Sequence, residues 1–414
     1  MKSGNIGLYV QGILTGLILF LLANPYYMWE HQTLGYVLRL LYGLILLLNY
    51  RKEKISSQVI WAILLAYISL ASGSSIIAFF VFVFANIFLL SAKTGYLYIA
   101  YNALYNIFVV VALLSIINYA LFFLGVSMPS RIIEPLNDVK DYNYTAYPFL
   151  VITNAIKDFM RFEGVFDEPG ALATSCFLFL WAEKFELFKW KNIVLMVAGF
   201  LTLSLFFIIA IGVVMFIKVF SKGTKFWFRV LCVGLFALFA YSLTIEDSVL
   251  FTAIGERLEF DEEKGIKGNN RSNKTLDYYY DQVSWKEPLF YWGPTLSGIE
   301  KDKVLEMTEG AAGYKSAILV NGLVGCVFYI LFFLIYARKR IKKRRDYLLF
   351  ALCFLMTIYQ RPFFYDIVFI FLFVSIIKLH DYQPAEVTED NKKAIISGKN
   401  IIKESNLLLQ KNQV

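Results

Sequence analysis

The stretch YIAYNALYNIFVVVALLSIINYALFFLG, residues 98–125, carries no charged side chain from end to end. A helix needs about 20 consecutive apolar residues to cross the roughly 30 Å hydrocarbon core of a bilayer. The stretch therefore predicts a transmembrane helix. A transmembrane barrel would instead show alternating segments of about 10 residues, so the apolar runs of this chain indicate helices.

Comparable apolar runs recur along the chain, which has 414 residues, a hydrophobic content of 58% and a mean hydropathy of +0.58. These values exceed those of soluble domains and indicate an integral membrane protein. The predicted fold is all-α, a polytopic transmembrane bundle of about twelve spans. The predicted spans are approximately 7–25, 34–50, 58–72, 75–91, 98–125, 170–183, 192–205, 206–221, 226–244, 314–337, 346–359 and 363–378.

Basic segments set the predicted orientation, because cytoplasmic loops are enriched in Lys and Arg. We predict a cytoplasmic N-terminus. All of the basic segments given next then lie on the cytoplasmic side, provided that 192–221 and 346–378 are hairpins rather than long tilted helices. The segments are RKEK (51–54), Lys93, KFELFKWK (184–191), SKGTK (221–225) and RKRIKKRR (338–345). Both termini are then cytoplasmic, and the first apolar run, which lacks a small-residue cleavage site, is expected to be retained.

The net charge of +8 is explained by these flanking clusters, which excludes nucleic acid as the expected partner. The four cysteines lie inside apolar runs without CxxC spacing, and the chain has two histidines. Neither a disulfide framework nor a metal site is expected from this pattern. The cysteines are Cys176, Cys232, Cys326 and Cys353.

Two long segments, 126–169 and 245–313, are predicted to lie on the extracytoplasmic side. The second is polar and long enough to form a helical subdomain, and loops of this size are usually functional. The predicted organisation is spans 1–5 in 1–125, a loop in 126–169, spans 6–9 in 170–244, the large loop in 245–313, spans 10–12 in 314–378 and a cytoplasmic tail in 379–414.

The stretch RFEGVFDEPGALAT, residues 161–174, concentrates charge directly before an apolar run. One interpretation is structural: Asp167 and Glu168 lie at the positive end of a helix, Pro169 occupies its first turn, and Arg161 is the salt-bridge partner of the acids. The other is functional. Arg161 would bind phosphate oxygens of a lipid-linked substrate, and a carboxylate beside it would remove a proton from a sugar hydroxyl.

Other residues also have two open interpretations. Arg257 and Arg271, in the large loop, either bind diphosphate or pair with nearby acids. Arg131 and Arg361 either contact substrate or anchor the chain at the membrane interface. Tyr279 and neighbouring aromatic residues either stack on sugars or form an interfacial belt.

RFEGVFDEPGALAT resembles the Arg-x-x-Gly-x-Phe-x-Glu-Pro-Gly signature of Wzy-type O-antigen and capsular polysaccharide polymerases, in the O-antigen polymerase and ligase superfamily. Three further segments are similar to parts of that family. They are LTLSLFFIIAIG (201–212), YWGPTLSG (291–298) and GYKSAILVNGLVGCVFYILFF (313–333).

The resemblance implies a GT-C-like fold in the bacterial cytoplasmic (inner) membrane. It implies transfer of a growing glycan from undecaprenyl diphosphate onto an undecaprenyl-diphosphate-linked repeat unit at the outer face. Membrane lipids and a chain-length regulator are the other implied partners. No cofactor or metal is implied, because arginines would neutralise the diphosphate.

In this interpretation, Arg161, Arg257 and Arg271 neutralise the leaving diphosphate. Glu168, or secondarily Asp167, is the general base on the acceptor hydroxyl, which predicts an inverting single displacement. The predicted catalytic residues are Glu168, Arg161 and Arg271. The predicted substrate-binding residues are Arg257, Arg131, Arg361, Asp167 and Tyr279.

Two alternatives remain open. A ligase of the same superfamily would carry a His where this chain has Tyr314, Lys315 and Ser316. A polysaccharide flippase, from a different functional class, would be expected to scatter charges along many spans and to have short loops on both faces. The single large outer loop favours an enzyme.

Overall fold

The computed structural model describes residues 3–51, 55–71, 75–134, 143–153, 160–219, 260–261, 265–266, 274–284, 293, 313–362 and 364–382. Met1–His380 forms one compact unit, and Asp381–Val414 is assigned to a second. Predicted span 226–244, most of the segment 245–313 and most of the tail lie outside the described residues.

The described part of the chain is mostly helical, and eleven of the twelve predicted spans coincide with helices. These helices and one more, α9, have the following bounds: α1 Ser3–Leu22, α2 Gln32–Leu48, α3 Ile55–Ala71, α4 Ile76–Ile87, α5 Thr94–Phe123, α6 Pro169–Ala182, α7 Trp190–Leu201, α8 Leu205–Val219, α9 Lys274–Ser284, α10 Tyr314–Arg340, α11 Arg344–Gln360 and α12 Ile367–Leu379. By length and composition, α5 and α10 could each cross a membrane, and the other apolar helices are shorter.

The two segments that could have been hairpins or long helices are both hairpins. Lys218, in the last turn of α8, donates to the carbonyls of Lys184 and Phe185, which lie just before α7 begins, so the chain reverses between α7 and α8. Likewise, the Phe354 and Phe373 rings are 5.0 Å apart across α11 and α12. Residues this far apart in one continuous helix would be separated by roughly 10 Å or more.

A small sheet departs from the all-α expectation. Strands β1 Arg131–Ile133, β2 Tyr144–Tyr147 and β3 Leu150–Thr153 form an antiparallel sheet in the order β1-β2-β3. Its inner face packs on Trp29, whose ring lies 5.2 Å from that of Tyr144. Strands of three or four residues are too short to show a clear periodicity in the sequence. A second antiparallel pair, β4 Phe260–Asp261 and β5 Gly265–Ile266, lies in the large loop.

The first helix packs closely on the longest one through small residues. A Cβ atom on Gly16 would lie 2.5 Å from the Cβ of Ala103, and one on Gly12 would lie equally close to Ile99. Glycines four residues apart let two helix backbones approach, as is common in membrane helix pairs. This contact fixes α5 against α1.

Helix α10 is broken near its N-terminus. Gly322 has φ 72° and ψ 154°, outside the helical region. The break is sharp, because the Cys326 thiol approaches the carbonyl oxygen of Ala317 at 3.5 Å. In a straight helix, these two residues would be about 13 Å apart along the axis. The Tyr67 hydroxyl donates to the Asn321 carbonyl at the break, at 3.3 Å.

The helix termini gather at two ends. At one, which we call the Lys378 end, the Lys378 ammonium group donates to the carbonyls of Leu90 and Ala92, at 2.6 and 2.7 Å. Described parts of two basic segments meet at this end: Arg51 N donates to Ser91 O, and His380, which follows α12, lies 3.4 Å from Asp346, next to the 338–345 segment. At the other, the Glu168 end, α6 begins, α11 ends and the small sheet packs. The membrane orientation of the two ends stays a prediction.

Candidate functional site

The segment RFEGVFDEP is a packed hub rather than an exposed loop. Phe162, Val165 and Phe166 are buried in the main core. Phe162 lies edge-on to Tyr119 of α5, with centroids 5.0 Å apart. Gly164 has φ 61°, a left-handed conformation that glycine adopts without strain. The apolar residues of the motif therefore fix the position of the charged ones.

Backbone hydrogen bonds join this hub to three other parts of the fold. Val151 N of β3 donates to Gly164 O at 2.7 Å, and Tyr26 N donates to Val165 O at 2.8 Å. The Tyr144 hydroxyl of β2 donates to the carbonyl of Asp167 at 2.7 Å. The sheet thus braces the chain immediately before Glu168.

The Tyr26 side chain extends this bracing. Burial raises the pKa of its phenol, so the hydroxyl stays protonated and acts as a donor. It donates to the carbonyl of Tyr147 at 3.1 Å.

Glu168 and Pro169 begin α6 as predicted. Glu168 is the N-cap residue in an extended conformation, and Pro169 occupies the first turn. Proline suits that position because its missing N–H would have no partner within the helix. The Glu168 carboxylate consequently lies near the positive end of the helix dipole, which stabilises its charge.

The ion-pair partner of Glu168 is Arg361, which lies at the C-terminal end of α11. Arg361 Nη2 donates to Glu168 Oε2. The Arg361 side chain is only 7% exposed, whereas that of Glu168 is 41% exposed. A buried guanidinium therefore holds a carboxylate that solvent can reach.

Gly170 makes this geometry possible. A Cβ atom at this position would lie 2.6 Å from Arg361 Nη2. The guanidinium packs directly on the first turn of α6, where any side chain would displace it. The Pro-Gly of the motif thus has two separate roles: Pro169 starts the helix, and Gly170 admits Arg361.

Arg161 binds the turn that follows α7. Its Nε and Nη2 donate to the carbonyls of Thr202 and Leu203, at 2.9 and 3.3 Å. These carbonyls belong to the turn between α7 and α8, where Leu203 has φ 49°. Arginine here caps the end of α7, whose last carbonyls lack partners within the helix. Glu168 pairs with Arg361, and the salt bridge from Arg161 to the acids stays a prediction.

Three aromatic rings from separate helices meet at the N-terminus of α10. The Tyr280 ring of α9 lies 6.1 Å from that of Tyr314, edge-on. Tyr314 stacks on Tyr359 of α11, with centroids 5.3 Å apart and planes 16° apart. Beside them, Lys315 Nζ lies 2.5 Å from Asp277 Oδ1. Tyr359 precedes Arg361 by two residues, so this row reaches the Glu168 end.

The remaining predicted site residues are placed as follows. Arg131 is exposed on β1, Tyr279 is half-buried on α9, and Asp167 is half-buried before α6. Arg257 and Arg271 lie outside the described residues. The structure therefore brings together Glu168 and Arg361, one predicted catalytic and one predicted substrate-binding residue.

Sequence reasoning missed the placement of two carboxylates, of which Glu163 is buried and Asp366 is half-buried. Glu163, in the hub, is 3% exposed. Asp366 caps α12, accepting hydrogen bonds from Val368 N and Phe369 N at 2.8 and 3.0 Å. The Asp366 cap could have been found, because aspartate directly before an apolar run is a typical N-cap signal. Within the described residues, no group of three or more His, Cys, Asp or Glu side chains is arranged to hold a metal ion.

No family model, curated protein or solved structure matches this chain. The motif and the geometry of the Glu168 end are therefore the features that bear on function.

Proposed function

We propose that this protein is a multi-pass membrane glycosyltransferase that polymerises lipid-linked glycan repeat units. The observation that supports this function best is the ion pair of Glu168 with Arg361. It joins an accessible carboxylate to a buried cation within the segment that resembles the polymerase signature. A proton acceptor beside a fixed positive charge is what transfer from a diphosphate requires.

The proposed reaction is a single displacement. The hydroxyl oxygen of the acceptor sugar attacks the anomeric carbon of the donor glycan and forms the new glycosidic bond. The bond from that carbon to the diphosphate oxygen breaks, and its electron pair leaves with the undecaprenyl diphosphate. The hydroxyl proton passes to the carboxylate of Glu168. The anomeric configuration is inverted.

The ion pair links proton transfer to departure of the leaving group. When Glu168 accepts the proton, it loses its negative charge, and Arg361 is then able to interact with the developing diphosphate. Electrostatic stabilisation of the leaving group would thereby increase as its charge develops. Arg257 and Arg271 remain proposed diphosphate ligands, with Arg131 and Asp167 as further contacts.

On this proposal, the chain lies in the bacterial cytoplasmic membrane with about twelve spans in a GT-C-like bundle. The Glu168 end faces outward, towards the lipid-linked substrate, and the Lys378 end and both termini face the cytoplasm. The basic segments that meet at the Lys378 end support this orientation. The proposal requires neither a metal nor a cofactor, and a chain-length regulator is a proposed partner.

The break in α10 supports a second candidate, a flippase for lipid-linked oligosaccharides. Interrupted helices commonly form the substrate sites of transporters, because the freed backbone groups bind the cargo. In this protein, the break at Gly322 is buried, and the Asn321 side chain beside it is 3% exposed. A transporter would use this break rather than Glu168.

A deletion strain distinguishes the two candidates. Surface polysaccharide would be resolved by gel after complementation with wild type, Glu168→Gln or Glu186→Gln, at matched membrane levels. Glu186 is the control because its carboxylate also pairs with a cation, Lys189, but at the Lys378 end. For a polymerase, the deletion leaves single repeats on the surface, and Glu168→Gln alone fails to restore the ladder.

Two results would contradict the polymerase. If the deletion leaves no surface glycan while lipid-linked units accumulate inside, the protein is a flippase. If Glu168→Gln restores a normal ladder, Glu168 is not the general base.

A further inference from the structure

The tyrosine row, defined as Tyr280, Tyr314 and Tyr359, is built from three helices that are distant in sequence. Tyr314 is 38% exposed and Tyr359 is 66% exposed, although each ring stacks on a neighbour. Mutual stacking holds these rings in place before any ligand arrives, which reduces the entropy lost on binding. The row is therefore a preorganised aromatic surface with accessible faces.

Polar groups border this surface. Lys315 Nζ lies 5.3 Å from the centre of the Tyr280 ring while paired with Asp277. Each ring also carries a phenol hydroxyl at its edge. Apolar ring faces with hydrogen-bonding groups around them match a pyranose, whose C–H face is apolar and whose rim carries hydroxyls.

The row lies at the same end of the bundle as the candidate site. Tyr359 is two residues before Arg361, so their backbones lie within one turn of each other, although their side chains leave α11 on different faces. α9, which carries Tyr280, belongs to the predicted large loop. A glycan on this row would thus be held between that loop and the end of α11.

We propose that the tyrosine row is the subsite that binds the saccharide of the lipid-linked repeat unit beside Glu168 and Arg361. This inference rests on the proposed function. The sequence predicted that Tyr279 contacts the sugar. The proposed subsite instead uses its neighbour Tyr280, together with Tyr314 and Tyr359.

The test uses the full-length protein in nanodiscs and a defined probe. The probe is the repeat-unit oligosaccharide, released by mild acid from the lipid-linked units of the deletion strain and radiolabelled. Its Kd would be measured by equilibrium dialysis for wild type, Tyr359→Leu, Tyr359→Phe and Tyr9→Leu. Tyr9 is the control because it is a similarly exposed tyrosine, at 54%, on α1.

We expect Tyr359→Leu to raise the Kd about 10-fold, because Tyr359 is the more exposed of the stacked rings and aromatic side chains supply much of the affinity of such contacts. Tyr359→Phe should recover most of that affinity, since the stacking surface remains. Tyr9→Leu should bind like wild type. In a parallel elongation assay with intact lipid-linked units, Tyr359→Leu should raise KM with little change in kcat.

The outcomes separate the two proposals. If Tyr359→Leu weakens binding but neither the wild type nor any variant elongates glycan, the saccharide subsite is supported and the polymerase function is contradicted. If wild type elongates glycan while Tyr359→Leu keeps the wild-type Kd, the polymerase stands and the subsite is overturned. If wild type does not bind the probe, the subsite is also overturned.

Discussion

Lys378 and Arg361, two buried cations at opposite ends of the bundle, have different kinds of partner. At the Lys378 end, Lys378 donates to two backbone carbonyls, and Lys218 likewise donates to the carbonyls of Lys184 and Phe185. At the Glu168 end, Arg161 also caps carbonyls, but Arg361 pairs with a carboxylate. A cation that donates to backbone carbonyls can be explained by its contribution to folding. A partly exposed carboxylate can also accept a proton.

The number of charged residues at an end of the bundle therefore does not locate the candidate site. Basic segments meet at the Lys378 end, where the ion pairs of Lys189 with Glu183 and Glu186 are half-exposed and local. The Glu168 end has fewer charges, yet its central pair joins residues that are 193 positions apart. The sequence separation of the paired residues, rather than the number of charges, distinguishes this ion pair from those of Lys189.

The largest expected effect is that of Arg361→Ala. Removing a buried partner leaves Glu168 without its cation, and such losses cost about 3–5 kcal/mol when both groups are buried. Because Glu168 is 41% exposed, we expect about 2–3 kcal/mol of the free energy of unfolding in mixed micelles. The polysaccharide ladder should also be lost.

A double mutant makes the first prediction specific to the pair. Glu168→Ala combined with Arg361→Ala should lower the free energy of unfolding by less than the sum of the two single changes, because the second substitution removes a side chain whose partner is already absent. Additive costs would show that the two side chains do not interact.

Gly170→Ala should have the next largest effect. Its Cβ would lie 2.6 Å from Arg361 Nη2 and displace the guanidinium from Glu168. We expect a loss of about 1–2 kcal/mol and a strongly shortened ladder. Gly212→Ala is the matched control, since a Cβ there meets no atom within 4 Å. Equal effects of the two alanines would contradict the close approach of Arg361 to α6.

Arg161→Met tests whether Arg161 caps α7 or binds phosphate. Loss of its hydrogen bonds to Thr202 and Leu203 should lower the free energy of unfolding by about 1–2 kcal/mol. The ladder should recover when membrane levels of the variant are matched to wild type. A stable variant that lacks a ladder would instead assign Arg161 to the diphosphate, as the resemblance implies.

Lys189→Met should have the smallest effect, below about 0.5 kcal/mol, because exposed ion pairs contribute little. The Lys189 side chain is 50% exposed, and its partners Glu183 and Glu186 can be solvated without it. The same unfolding measurement checks this value. A cost above 1 kcal/mol would remove the contrast between the two ends.

Much of the helical framework could be predicted because apolar length is a local property. The positions of the apolar helices and of Pro169 in the first turn of α6 follow from short windows of sequence, and the two hairpins follow from the distribution of basic segments along the chain. The sheet could not be predicted in this way, because its strands are too short for a periodic signal and are stabilised by packing on Trp29.

The candidate site was predictable in composition but not in pairing. The sequence alone placed Glu168 before a helix and identified Arg361 as an unusual charge beside a proline. Only the tertiary structure decided that these two residues pair and that Arg161 caps α7. It also decided that Tyr280, Tyr314 and Tyr359 meet. The physical reason is that span length, helix capping and charge sorting depend on neighbouring residues. The partner of a side chain depends instead on how distant helices pack, which no local pattern encodes.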